Sequence, residues 1–210
     1  MMTEEIKVPD FPEVEFNEER HEYKLGGRTL PSVTTLMNPL SSAYYGEVDE
    51  KTLNRAANRG TAIHNAIENY VKYGIEDIPR EYEGYFEAFK LWLKENSPII
   101  LGTECRVYHR VYRYAGTCDM PCIIKGLKTL VDFKSSSTII PVLTGVQLEG
   151  YDRAYESHGF SFDKKAIVHL KPDGKYKMEL YDKNDNESWE TFRACITINN
   201  HLAKYRRKTI

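Results

Sequence analysis

The chain has 210 residues with 41% hydrophobic content and a formal net charge of −2 at pH 7, with a pI near 6.3. That is enough to bury one sizeable core, and the slightly acidic balance excludes a protein coated in basic surface, so any site for a polyanion must be local. No apolar run approaches the roughly 18 to 20 residues of a membrane helix, and the start MMTEEIKVPDFPEVEF is acidic with no apolar signal core, so we expect no membrane association and a cytoplasmic location.

In chain order, FPEVEFNEERHEYKL alternates on either side of Asn17 to Arg20 and predicts a short hairpin, and LPSVTTLMNPL follows, with Ser32 as the cap of a short helix ending near Pro39. Asp49 to Arg59 and Thr61 to Tyr73 read as helical stretches separated by Gly60, with Ile63, Ile67, Tyr70 and Val71 as an inward stripe. Thr61 is the expected cap of the second stretch, which places His64 in its first turn, one turn before Glu68. A further amphipathic helix is predicted over Arg80 to Glu95, with Tyr85, Phe89, Trp92 and Leu93 on its apolar side.

After Pro98 the period changes to two and predicts three antiparallel strands, Ile99 to His109, Tyr112 to Ile124 and Leu127 to Lys134. A helix from about Pro141 to His158, a strand at Lys165 to Leu170, a turn at Pro172-Asp173-Gly174, a strand at Lys175 to Tyr181 and a helix from about Glu187 complete the pattern. Helix, three strands, helix, strand is an α/β domain with a mixed sheet, and the absence of repeats or linkers favours a single domain over 1–210. Cys105, Cys118, Cys122 and Cys195 lack paired spacing and read as free thiols rather than as zinc ligands or a disulfide framework. The tail LAKYRRKTI is a candidate basic patch, though a solvated helix end explains it as well.

The chemistry concentrates in one hairpin, YAGTCDMPCIIKGLKTLVDFKSSS. If Lys125-Gly126 is a two-residue turn, Ile124 faces Leu127 and Asp119 faces Asp132. Strand alternation puts Asp132 and Lys134 on one face with Leu130, away from Val131 and Phe133, although Pro121, with no amide proton, implies an edge, a bulge or a break. Two carboxylates about 4 Å apart repel by roughly 4 kcal/mol at an effective dielectric of 20. A divalent cation with oxygen ligands would relieve that, and Lys134 would add a point charge able to hold a phosphate oxygen or orient a water. The plain alternative is a solvated hairpin face on which Lys128 and Lys134 offset the acids. Gln147 and Tyr151, spaced i to i+4 on one helix, are two more polar groups beside an apolar stripe.

Together these residues resemble the PD-(D/E)XK nuclease superfamily, in its RecB-like and phage-type exonuclease branch. Gly60-Thr61-Ala62-Ile63-His64 looks like the branch's G-T-x-x-H helix start, Gly116-Thr117-Cys118-Asp119 like its G-x-x-D strand, Asp132-Phe133-Lys134 like its D-x-K, and Gln147-Leu148-Glu149-Gly150-Tyr151 like its Q-x-x-x-Y helix. PSVTTLM adds a looser similarity to phage members. The resemblance covers about Leu30 to Leu170. It implies a restriction-endonuclease-like αβββαβ core over that span, with an N-terminal hairpin over 1–29 and a C-terminal strand and helix over 171–210.

It further implies that Asp119, Asp132 and the Phe133 carbonyl hold Mg²⁺ or Mn²⁺ with His64 as a further ligand, that Lys134 orients the attacking water, and that Gln147 and Tyr151 position Lys134 and the phosphate backbone. Glu104 would share a face with Asp119 if Arg110-Val111 turns the preceding hairpin, so it is either a contributor to the metal shell or an ordinary strand glutamate. Arg59 and Thr61 are expected against the DNA. The iron–sulfur cysteines of some relatives have no match, so no cluster is expected. The function implied is a DNA exonuclease of phage or prophage recombination or DNA processing, in the host cytoplasm if phage-encoded, acting on linear ends or single strands. A strand-annealing protein, a helicase or a single-strand-binding protein are its candidate partners. A structure-specific endonuclease and a nuclease-derived DNA-binding module acting with a partner are the alternatives.

Overall fold

The computed structural model describes residues 6–46 and 49–206; the last residues of the basic tail, 207–210, lie outside that span. The chain opens with β1 (Val14–Asn17), β2 (Glu22–Leu25) and β3 (Arg28–Leu30), a three-stranded antiparallel sheet rather than a lone hairpin. Ser32 then caps α1 (Val33–Leu36) as expected, its hydroxyl accepting the Thr35 amide at 2.9 Å. Pro39 does not end that helix. It lies in the first turn of a second one, α2 (Asn38–Tyr45), where a missing amide proton is no loss.

The two helical stretches expected around Gly60 are one helix, α3 (Glu50–Tyr73), of 24 residues. Its cap is Asp49, which accepts the Thr52 amide at 3.0 Å; Gly74, at φ +68°, closes it. An interior glycine costs about 1 kcal/mol, and the burial of Ile63, Ala66 and Ile67 one turn on outweighs that. Thr61 therefore caps nothing, and His64 stands about four turns into the helix rather than in its first. A short 3₁₀ turn leads into α4 (Glu83–Asn96), which buries Phe86, Ala88, Phe89 and Trp92. A β-carbon at Gly84 would lie 1.9 Å from the Pro172 carbonyl oxygen, so only glycine lets α4 approach that turn.

Two of the three predicted strands are each broken in two. The pieces are β4 (Ile99–Ile100), β5 (Cys105–Tyr108), β6 (Ala115–Cys118) and β7 (Met120–Ile124), followed by the intact β8 (Leu127–Lys134). After α5 (Pro141–Glu156) come β9 (Lys164–Leu170), β10 (Tyr176–Tyr181) and α6 (Asn186–Arg206). The central sheet runs β10-β9-β8-β7-β4, with β8 and β9 parallel across the α5 crossover and every other pair antiparallel. It is the expected mixed sheet flanked by helices. β5 and β6 leave it to form a separate pair, joined to the segment between β3 and α1 by a bridge from Ser32 to Ala115.

The β7–β8 register is the predicted one, from Ile124 opposite Leu127 to Met120 opposite Val131. Pro121 is tolerated within it because its backbone faces β4, whose ladder is already ending, and its carbonyl accepts the Leu101 amide at 2.9 Å. In the β5–β6 hairpin the turn falls later than expected. His109 donates to the Tyr114 carbonyl at 2.8 Å and Tyr108 faces Ala115, a slip of two residues that leaves every side chain on its predicted face.

The sheet divides two cores. Val131 and Phe133 pack against α3 and α4, while Leu130 and Ile167 pack against α1, α5 and α6. Of the cysteines, Cys118, Cys122 and Cys195 are buried and Cys105 is half-buried, all as free thiols. No helix among the described residues is long and apolar enough to cross a membrane.

One ionic group is sealed inside. Lys165 of β9 contacts Glu149 and lies 3.7 Å from Asp152, both on α5, and all three are buried. Burial, with the Glu156 carboxylate adding to it, pushes the Asp152 carboxyl from 3.8 up to about 7. A raised folded-state pKa contributes stability that is complete below about pH 4 and is lost as pH rises through about 7. Asp152→Asn should therefore flatten the dependence of unfolding free energy on pH across that window, an effect of roughly 4 kcal/mol at most. Urea melts at closely spaced pH values would read it, and parallel curves for the two proteins would contradict it.

Candidate active site

The break between β6 and β7 builds the site. Asp119 occupies the bend where the strand stops pairing with β5 and starts pairing with β8. It follows the β7–β8 register but leaves the ladder one pair short of Asp132, and its carboxylate takes the ladder's place: Oδ2 accepts the Phe133 amide at 2.6 Å. On the other side its carbonyl accepts the Glu104 amide at 2.9 Å. Glu104 holds φ +48°, a conformation that a non-glycine residue adopts only under constraint.

His64 reaches this point from α3. Its Nδ1 lies 3.2 Å from Glu104 Oε1 and 3.5 Å from Asp119 Oδ1, and its Nε2 lies 3.2 Å from the Phe133 carbonyl. A carbonyl only accepts, so Nε2 carries a proton; ionised carboxylates also only accept, so Nδ1 is best served by one too. Burial works against a charged His64, but the Asp119 and Glu104 carboxylates outweigh it and carry the group up to about 9. Asp119 itself is pushed up to about 8, first by burial and then by the Asp132 and Glu104 carboxylates, with His64 opposing.

Asp132 is buried on the α5 side of β8, and its Oδ2 lies 2.7 Å from Lys134 Nζ. That contact is not aligned as a hydrogen bond, so the oxygen has no aligned donor. Burial disfavours the Lys134 charge, but Asp132 and Asp119 hold its pKa above the usual lysine value. Gln147 donates from Nε2 to the Tyr151 hydroxyl at 3.3 Å and borders the same cavity as Lys134. Arg59 lies at the end of β8, its Nε 3.4 Å from Ser135 Oγ and its guanidinium 5.7 Å from the Tyr85 ring centre. Thr61 is exposed and borders a second cavity with His64.

The structure thus brings Asp119, the Phe133 carbonyl and His64 together and places Glu104 against His64. Among the described residues, the side chains whose ligand atoms come close enough for one ion are His64, Glu104 and Asp119, while Asp132 is held by Lys134. Thr117 and Tyr23 were missed. Tyr23 shares a 2.8 Å hydrogen bond with Thr117 Oγ1, and the only available signal was that Thr117 shares a strand face with Asp119.

Gly116 shows why the strand motif and the helix motif belong together. A β-carbon there would lie 2.6 Å from Tyr151 Cε1, so the missing side chain is what seats the tyrosine. Gly116→Ala should destabilise the protein by about 1–3 kcal/mol, and adding Tyr151→Leu should recover part of that. The double-mutant cycle in thermal melts measures the coupling, and additive effects would rule out the close contact.

No protein-family model matches the sequence, and no curated protein matches it. Among solved structures, a candidate exonuclease from Eubacterium rectale aligns at 11% identity with a TM-score of 0.51, over 88% of this chain and 79% of its own. An alkaline exonuclease from Laribacter hongkongensis aligns at 12% identity with a TM-score of 0.41, over 86% of this chain and 95% of its own. The likeness is one of fold, and it rests on the Eubacterium rectale structure: the α/β core with a central mixed sheet flanked by helices, expected from the sequence, is the fold observed.

Proposed function

We propose that this protein is a divalent-metal-dependent nuclease that hydrolyses phosphodiester bonds of DNA as an exonuclease. The observation that carries it is the convergence of His64 from α3, Asp132 and Lys134 from β8, Glu104 from the loop before β5 and Asp119 from the bend between β6 and β7 on one strand break. The fold it shares with a candidate exonuclease supports it.

The residues fit Mg²⁺ or Mn²⁺. The donors are carboxylate and carbonyl oxygens with one imidazole, the set that hard cations take. Asp132 Oδ2 is buried with no aligned donor, and Asp119 is held far above the usual carboxylate range by burial, with the Asp132 and Glu104 carboxylates adding to it. Asp119, Asp132 and the Phe133 carbonyl would hold the ion, with His64 and Glu104 completing the set. A bound ion would supply an acidified water, a polarised phosphate and a stabilised leaving oxygen.

The chain's own residues do the rest. Lys134, in contact with Asp132, holds a positive charge beside the reacting phosphate and orients the attacking water. Gln147 borders the Lys134 cavity, is hydrogen-bonded to the buried Tyr151 behind it, and with it positions the strand. Arg59, with Thr61 nearby on the same helix, offers a phosphate contact at the end of β8. His64 gives up its ring proton when it becomes a ligand. The phage or prophage setting, and a strand-annealing, helicase or single-strand-binding partner, are supported by the sequence resemblance alone.

Purified protein with Mg²⁺ or Mn²⁺ should degrade end-labelled linear DNA and spare covalently closed circles, and Lys134→Ala should slow it about 100-fold or more. Cutting of the circle would assign an endonuclease instead; survival of every substrate would reduce the protein to a DNA-binding module or to a subunit needing its partner. Asp119→Ala and Asp132→Ala should each weaken Mn²⁺ binding about 10-fold or more by calorimetry. Unchanged affinity in both would remove the metal site.

A further inference from the structure

Two cavities flank the carboxylate cluster, and they share no lining residue. One, of about 260 Å³, is bordered by Lys134 and Gln147. The other, of about 620 Å³, is bordered by His64, Glu104 and Thr117 together with Phe16, His21 and Tyr23 of the N-terminal sheet. That sheet lies outside the central one, yet it is tied to the strand that carries Asp119 by the 2.8 Å hydrogen bond between Tyr23 and Thr117.

The aromatic wall is ordered. Phe16 and Tyr23 are cross-strand partners whose rings stack at 4.5 Å with an interplanar angle of 28°. His21 stands edge-on to both, at 5.3 and 5.9 Å. It is exposed, and its left-handed backbone, φ +47°, is held by a turn in which its amide donates to the Glu18 carbonyl at 3.2 Å and the Arg20 amide to Asn17 Oδ1 at 2.9 Å.

The charges facing this cavity decide what it accepts. Glu18, Glu68 and Glu104 line it, against Lys72 and Arg106. Lys72 is paired with Glu68, and the Arg106 guanidinium donates to the Val14 carbonyl at 2.8 Å. Arg106 keeps its charge in that bond and Glu104 faces His64, so acids and cations balance around the wall and no concentration of positive charge is there to hold a run of phosphates. A nucleobase is neutral and has two faces for stacking.

We propose that this cavity is a nucleobase subsite, in which the half-buried Phe16 and the exposed His21, backed by the buried Tyr23, receive one unpaired base whose phosphate lies at the carboxylate cluster. The proposal rests on the nuclease reading above and narrows it to strands with an unpaired end: a duplex must open its terminal pair to fill the cavity. Stacking on aromatic side chains is sequence-tolerant, so the four bases should be accepted about equally.

The test uses Lys134→Ala protein with Mg²⁺, so that the strand survives. Short single strands carry 2-aminopurine at successive positions and an anisotropy label at the far end. On saturation, the emission of 2-aminopurine should be quenched at one position near an end. His21→Ala and Phe16→Leu should each raise Kd about 5-fold or more and abolish that quenching, while Phe16→Tyr keeps both. Because His21 is exposed, its variant reports on the subsite even if Phe16→Leu fails to fold. Binding by anisotropy with no responsive position, or unaltered Kd and quenching in His21→Ala, would overturn the subsite and leave the nuclease reading standing. A labelled strand that does not bind with Mg²⁺ or Mn²⁺ would overturn both.

Discussion

The site depends on one hydrogen bond, from the Phe133 amide to the Asp119 carboxylate. A strand that changes partners leaves donors open at the break, and a buried donor without an acceptor costs about 1–3 kcal/mol. Asp119 fills that gap with its side chain, so the residue with the most perturbed acid in the site is also the one that completes the sheet. Everything else follows from where this fixes the end of β8. The Phe133 carbonyl comes to His64, Asp132 and Lys134 come to the α5 side, and Glu104 is drawn in by its backbone bond to Asp119.

Alternation along β8 then separates two tasks. Val131 and Phe133 are buried against α3 and α4, and Phe133 meets Phe89 and Trp92 edge-on at 5.3 and 5.2 Å. Asp132 and Lys134 point the other way, toward α5. The polar pair thus sits on a strand anchored by apolar packing from behind, which adds to the hydrogen bond that fixes its end. α5 carries its own buried charges, Glu149 and Asp152, against Lys165 of β9. Such a group is poor evidence of stability, since the desolvation of each charge offsets their attraction. Its effect here is geometric: it pins the register of α5 on the parallel strand pair, and with it the placing of Gln147 and Tyr151.

Much of this was legible because it is local. Lys125 and Gly126 form the hairpin turn with φ of +50° and +80°, and a two-residue turn sets the register of everything outward from it. The i to i+4 spacing of Gln147 and Tyr151 likewise needs only the helix. What was not legible depends on partners. Gly60 reads as a break by propensity, but the packing of Ile63, Ala66 and Ile67 carries α3 through it, so Thr61 loses its role as a cap. Pro39 reads as a stop and serves as a start. The two broken strands have unbroken alternation, and nothing local says that β5 and β6 will leave the sheet. The role of Glu104 turns on that departure, because its position and its left-handed backbone both arise at the break.

The electrostatics of the cluster also order its events. With the acids ionised, Asp119, Asp132 and Glu104 face His64 and Lys134, and a phosphodiester arriving there brings a further negative charge into a poorly solvated corner. At about 4 Å and an effective dielectric of 20, each unrelieved carboxylate–phosphate contact costs roughly 4 kcal/mol, and the protein's net charge of −2 offers no general attraction to offset it. A proton on His64 relieves one unit of that charge, and a divalent cation relieves two while leaving the imidazole free to bind it. Under the metal-dependent reading, the cation must therefore be in place before the strand can settle. In that reading, the acidity that would repel DNA from the bare cluster is what would make it a receptor for the ion that admits DNA.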